Sequence, residues 1–233
     1  MLSLVESSRR RLAVVAVLVL PLSLSACGNG VGPGDAAEVD GHAISVQQVD
    51  DLARVICATQ GGQQGQGGKT PTASVRAIAL NVLIGIEVGA GIGDLGSVDQ
   101  QQVSQSVQSA AQARAMVDEA DRELFDRVVK DSTRSQLVLD AEAAKRLQAS
   151  GGDPTDQNAL QAEVAKVQAD YVKGADVKVA PRFGRMQDGQ LVAGDGSLSV
   201  PVSKGALAFK GGSSDDPFGT ASTADFPASQ RCS

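Results

Sequence analysis

Tryptophan is absent from this 233-residue chain, and aromatics amount to five phenylalanines and one tyrosine. An aromatic-walled cofactor or sugar site has little to be built from, so any core must be aliphatic. Histidine occurs once, at His42, after the Asp40-Gly41 pair. One imidazole in a turn reads as a solvated residue and leaves no base, nucleophile and orienter to assemble. No Gly-x-Ser-x-Gly elbow, Walker loop or zincin helix occurs. Ser203-Lys204-Gly205 lacks the Ser-x-x-Lys partner a penicillin-binding site would need. Asp215-Asp216 offers two adjacent loop carboxylates, fewer ligands than a cation cage requires. The acids Asp118, Glu119, Asp121 and Glu123 read as the negative start of a helix. The residues therefore predict no catalytic site, no metal and no small-molecule substrate. Positive charge is also short: the formal net charge is −6, which argues against nucleic acid and against electrostatic adhesion to anionic lipid.

What is present begins with a leader. Arg9, Arg10 and Arg11 precede an apolar run from Leu12 to Leu22, and small residues follow. That run is shorter than the roughly 20 residues of a membrane span and has the form of a cleaved secretory signal. Ser8-Arg9-Arg10 echoes a twin-arginine signal, but the very apolar run favours the general secretion route. Leu24-Ser25-Ala26-Cys27 closely resembles the lipobox of bacterial lipoproteins. The resemblance implies a diacylglyceryl thioether on Cys27, cleavage of residues 1–26 and a lipid anchor on the outer face of the cytoplasmic membrane. Two or three acyl chains hold stably, each buried methylene giving about 0.8 kcal/mol. An ordinary signal peptide with a chance cysteine is the alternative. Removing 26 of the 233 residues leaves 207 and, with Glu6 and three arginines gone, takes the formal charge to −8.

With Cys27 lipidated, Cys57 and Cys232 remain as an even pair in an extracytoplasmic compartment, where disulfides persist. Cys57 is expected at the end of the first helix, where its sulfur could meet an incoming tail docked through Phe226 and Pro227. The pairing predicts a Cys57–Cys232 disulfide; two free thiols are the alternative.

Along the chain, residues 27–35 read as a Gly-rich tether. Ala37-Glu38-Val39 alternates like a short strand, Asp40-Gly41 signals a turn, and Ser45-Val46-Gln47-Gln48 forms a capping box. A first helix follows from Val46 to Ala58, then a Gly/Gln loop over Gly61–Gly68. A second, apolar helix carries Val75, Ile78, Ala79, Val82, Leu83 and Ile86 on one side, with Leu80 and Ile84 widening its face. Asn81 and Glu87 interrupt that face and its glycines weaken the helix, which argues against a membrane span. Ser97-Val98-Asp99-Gln100 predicts a cap for a third helix bearing Val103, Val107 and Ala110. A fourth is expected over Asp118–Gln148, and a fifth after Asp153-Pro154 with Leu160, Val164, Val167 and Tyr171 as its stripe. Val177 and Val179 predict a closing strand. Residues 185–233 read as an irregular Gly/Ser-rich tail, with extended pieces near Leu198–Val200 and Ala206–Phe209.

Ala37 to Ser45, followed by a helix and then by Leu80-Asn81-Val82-Leu83-Ile84, resembles the SurA-type N-terminal chaperone domain (SurA/PrsA-like). Ile92 to Val98 is similar to that family's bend into a capped third helix, and Asp176 to Gly184 to the closing strand of actinobacterial lipoprotein members. The resemblance spans residues 36–184 and implies a mainly α, multi-helix domain with a short strand at each end. Many relatives carry a parvulin prolyl-isomerase domain of roughly a hundred residues. Here the tail is about half that and His42 is alone, so the chaperone fold carries over and the isomerase does not. The implied function is binding of unfolded or extended segments of secreted proteins, with Leu80, Ile84 and Ile86 as client-binding candidates or, alternatively, plain core residues. The rival reading is a structural or adaptor lipoprotein that binds one folded cell-envelope partner.

Overall fold

Asp40 and Gly41 both take positive φ (48° and 85°), a turn that reverses the chain in two residues. It joins β1 (Asp35–Val39) to β2 (His42–Ser45), with Glu38 opposite Ala43 and Val39 opposite His42. In the computed structural model, which describes residues 30–63, 72–187, 190–192 and 232, β1 is the centre of a three-stranded antiparallel sheet. Its other neighbour is β3 (Val177–Val179), pairing Val39 with Val177 and Ala37 with Val179. Among the described residues all six α-helices are thus inserted between β2 and β3, which the sheet brings together on either side of β1. Across the sheet, Lys178 Nζ lies 2.9 Å from Glu38 Oε1. An irregularity between Asp35 and Ala37 lets both Ala36 and Ala37 face the core. The domain begins earlier than residue 36. Val31 packs on the core and the Gly34 carbonyl accepts a hydrogen bond from the Val46 amide at 2.9 Å, so part of the expected tether is docked.

Helix α1 (Val46–Gln63) opens on the reciprocal cap: the Gln48 amide donates to Ser45 Oγ and the Ser45 amide to Gln48 Oε1, at 3.1 and 2.7 Å. It runs past Ala58 into the Gly/Gln stretch, since extending a formed helix costs far less than starting one. Cys57 therefore lies inside α1 rather than at its end. Helix α2 (Thr72–Ile92) is the central element, packed by α1, α5, α6 and the sheet. By length and composition α2 is apolar enough to cross a membrane; in this fold Val75, Ala79, Leu80, Ile84 and Val88 are buried in the core.

Helix α3 (Gln100–Ser109) is capped by Asp99, whose carboxylate accepts from the Gln101 amide, and not by Ser97. The Ser97 hydroxyl is spent on the Asp94 carbonyl, 2.8 Å away. A short α4 (Ala111–Ala115) and a 3-10 turn (Glu119–Asp121) precede α5 (Arg122–Ala149), which starts four residues later than Asp118. Helix α6 (Gln157–Gly174) is capped by Asp156; the Asp153 carboxylate instead closes a turn on the Thr155 amide and hydroxyl. Val164 and Val167 bury the expected stripe against Leu139 and Ala143 of α5. Among the described residues 68% are helical, so the mainly α class holds.

The first residues after Gly184, expected to be irregular, are paired strands. β4 (Arg185–Gln187) and β5 (Gln190–Val192) form a hairpin whose Leu191 enters the main core. Phe183, just before it, is held between the Arg76 and Arg182 guanidiniums, 5.5 and 5.2 Å from its ring centre. The lipobox, the 64–68 part of the Gly/Gln loop, the extended pieces near 198–200 and 206–209, and Phe226-Pro227 lie outside the described residues.

Candidate functional site

Gly89 in α2 and Gly93 just past its end place a narrow side of the chain against α5. A Cβ on Gly89 would stand 2.8 Å from the Ser135 Cα, and one on Gly93 would stand 2.9 Å from Val138 Cγ1. The Ser135 hydroxyl donates to the Gly85 carbonyl at 2.7 Å across the same contact. Helix packing this close carries α5 past the end of α2, and the chain must then turn away. Asp94 makes that turn: its Oδ1 accepts from the Gly96 amide at 2.8 Å and its carbonyl from the Ser97 amide at 3.1 Å. Asp99 then starts α3. Between this turn, the start of α3 and the middle of α5 lies an open groove of about 450 Å³.

Its floor is apolar. Ile92 and Val98 come from the α2–α3 side, and Leu137, Val138 and Ala141 from α5. Its rim is charged, with Asp94 and Asp99 on one side and Glu142 and Lys145 on the other. Lys145 reaches Glu142 at 3.4 Å, while Glu142 also accepts from Arg146 at 3.3 Å. Arg146 in turn holds Asp170 of α6 at 3.0 Å, and these two carboxylates keep its guanidinium firmly protonated. The rim is thus built into the α5–α6 contact. Ser97 also lines the groove, its hydroxyl donating to the Asp94 carbonyl.

The client-binding candidates are placed elsewhere. Leu80 (0% exposed) and Ile84 (2%) are core residues of α2 and offer no surface to a client. The apolar excess that singled them out is explained by a helix packed from several sides, which needs apolar residues around most of its circumference. Ile86 is half-buried. The groove residues Leu137 and Ala141 were missed, although their i, i+4 spacing marks a second apolar stripe on α5 beside that of Leu139 and Ala143. The signal was readable, but nothing in the sequence shows that α6 covers one stripe and leaves the other open.

Cys57 and Cys232 are joined in a disulfide, with Cα atoms 5.2 Å apart and a sequence separation of 175. Cys232 is 6% exposed, packed on the same core as Ile56 and Ala58. His42 is 74% exposed at its side chain, the first residue of β2 rather than part of the turn, 3.6 Å from the Glu87 carboxylate. Next to it, Asp40 accepts from the Tyr171 hydroxyl at 2.6 Å and from the Asp176 amide at 2.9 Å. These bonds hold the Asp40 carboxyl below its ordinary range. The same carboxylate, together with burial, pushes the Tyr171 phenol up to about 12. The cluster fastens the β1–β2 turn to the end of α6. Among the described residues no group of three His, Cys, Asp or Glu is placed to hold a metal.

Compared with protein families, curated proteins and solved structures, the chain matches none.

Proposed function

We propose that this chain is a lipid-anchored, extracytoplasmic, chaperone-like protein of the SurA N-terminal type that binds unfolded or extended segments of secreted proteins and performs no catalysis. The observation that carries the reading is the open groove between the α2–α3 turn and α5, with an apolar floor and a polar rim. An enclosed small-molecule site buries some 70–90% of its ligand. A groove open to solvent instead suits a chain laid across it, one or two side chains entering the floor. Weak binding per contact follows, because an extended client loses conformational entropy when it is ordered.

Other features support parts of the reading. Leu24-Ser25-Ala26-Cys27 supports a covalent diacylglyceryl lipid at Cys27 and placement on the outer face of the cytoplasmic membrane. The Cys57–Cys232 bond is consistent with an oxidising compartment. The strand, two-residue turn, capped helix and returning strand agree with the element order of the SurA-type domain.

Crosslinking in intact cells tests the function directly. Recovery of many unrelated secreted proteins, together with suppression of aggregation of a chemically unfolded model protein, is the expected result. Recovery of one folded envelope protein in fixed stoichiometry, with no effect on aggregation, would replace the reading with the adaptor role.

A further inference from the structure

The groove's rim is not neutral. Asp94, Asp99 and Glu142 face a single cation, Lys145. Asp94 and Asp99 each spend one carboxylate oxygen on a backbone amide, at Gly96 and Gln101 respectively. Their other oxygens make no further bond among the described residues. Glu142, by contrast, is shared between Lys145 and Arg146. The unmatched negative charge therefore sits on the α2–α3 side, directly beside the apolar floor made by Ile92, Val98 and Leu137. The chain as a whole is acidic as well, with a formal charge of −6.

We infer that the groove selects segments in which an apolar side chain is flanked by lysine or arginine, the apolar group entering between Val98 and Leu137 and the cation meeting Asp94 and Asp99. This deepens the proposed function and rests on it. Two physical effects set the preference. Apolar contact with the floor supplies affinity without direction, and the acidic rim supplies the choice among apolar segments by attracting cations and repelling acids. Because the carboxylates are exposed, each contact is a surface ion pair. Two of them amount to a preference of roughly three- to tenfold that fades with added salt.

The test uses the full-length protein in detergent and three fluorescent nonapeptides sharing a Leu-Val-Leu centre, flanked by lysine, serine or glutamate. Anisotropy titrations are made at low and high salt. Asp94→Asn/Asp99→Asn removes both charges while asparagine keeps the turn and the helix cap. Ala141→Phe fills the groove from an exposed α5 position. The lysine peptide should bind roughly three- to tenfold tighter than the serine peptide and tighter still than the glutamate peptide. In the Asn pair that order should collapse at unchanged melting temperature, and Ala141→Phe should weaken all three. Equal binding of all three peptides by the parent protein, or a lysine preference that survives in the Asn pair, overturns the inference. A chemically unfolded protein, titrated in parallel, separates the two levels. If it binds and neither variant affects it, the groove assignment falls while the chaperone reading stands; if neither it nor any peptide binds, the chaperone reading falls as well.

Discussion

Gly89→Ala and Gly85→Ala add the same methyl group to the same helix four residues apart, and opposite outcomes are expected. Alanine is favoured over glycine in a helix interior by roughly 0.5–1 kcal/mol, so both variants start with that gain. At Gly85 nothing lies within 4 Å of the new Cβ, and the gain should survive. At Gly89 the new Cβ stands 2.8 Å from the Ser135 Cα, a backbone atom that no rotamer change can move. Carbon–carbon contacts settle near 3.5–4.0 Å, so α5 must retreat by several tenths of an ångström or more. Overpacking of this kind costs about 1–3 kcal/mol. The retreat also stretches the 2.7 Å bond from the Ser135 hydroxyl to the Gly85 carbonyl, and Ser135 is only 4% exposed. Leaving that hydroxyl unpaired costs about 1–3 kcal/mol more. Set against the propensity gain, the net for Gly89→Ala is a loss of about 1–5 kcal/mol. For a chain of this size that lowers the melting temperature by roughly 2–20 °C, while Gly85→Ala raises it by a few degrees. Thermal and urea unfolding followed by circular dichroism provide the measurement. Ser135→Gly in the Gly89→Ala background should restore part of the loss, giving a coupling of about 0.5 kcal/mol or more. If Gly89→Ala is as stable as Gly85→Ala, the close α2–α5 crossing, and with it the wall of the groove, is wrong.

Replacing both Cys57 and Cys232 by serine should lower stability by about 2–5 kcal/mol, since the bond closes a long loop; a urea midpoint unmoved by reductant in the parent protein would refute the bond. Tyr171 is the sole tyrosine in a chain without tryptophan, so its phenolate absorbance can be read alone. Its titration should lie near 12 in the folded protein and move back toward 10 in Asp40→Asn. A phenol raised on folding adds stability that is whole below about 10 and lost as pH climbs through about 12. The Asp40 carboxyl, lowered on folding, adds stability present above its ordinary value of 3.8 and lost as pH falls through the depressed one. Titration of Tyr171 at 10 while the far-ultraviolet spectrum stays native would contradict the Asp40 bond. Cys27→Ala should release the protein from membranes in high salt, and continued fractionation with membranes would remove the lipid anchor from the proposal.

Local chemistry written within a few residues was legible without coordinates. The Asp40-Gly41 turn, the Ser45/Gln48 cap, the α6 stripe of Val164 and Val167 and the β3 strand all depend on backbone preferences and short periodicities, which neighbouring residues settle among themselves. Where two local signals competed, tertiary context chose. Ser97 and Asp99 could each cap α3, and the Asp94 turn took the Ser97 hydroxyl first. The start of the tail looked irregular because Gly, Ser and Asp around it obscure the brief alternation of Arg185–Gln187, and only a docking partner for Leu191 makes a hairpin of those few residues. Leu80 and Ile84 show the limit most clearly. Their hydrophobicity was evident in the sequence, but an apolar residue reads the same whether a neighbour covers it or a client does. That depends on which helices pack where: the neighbours of α2 cover Leu80 and Ile84, while α6 packs on Leu139 and Ala143 of α5 and leaves the adjacent Leu137 and Ala141 lining the groove, a choice no periodicity within one helix can express.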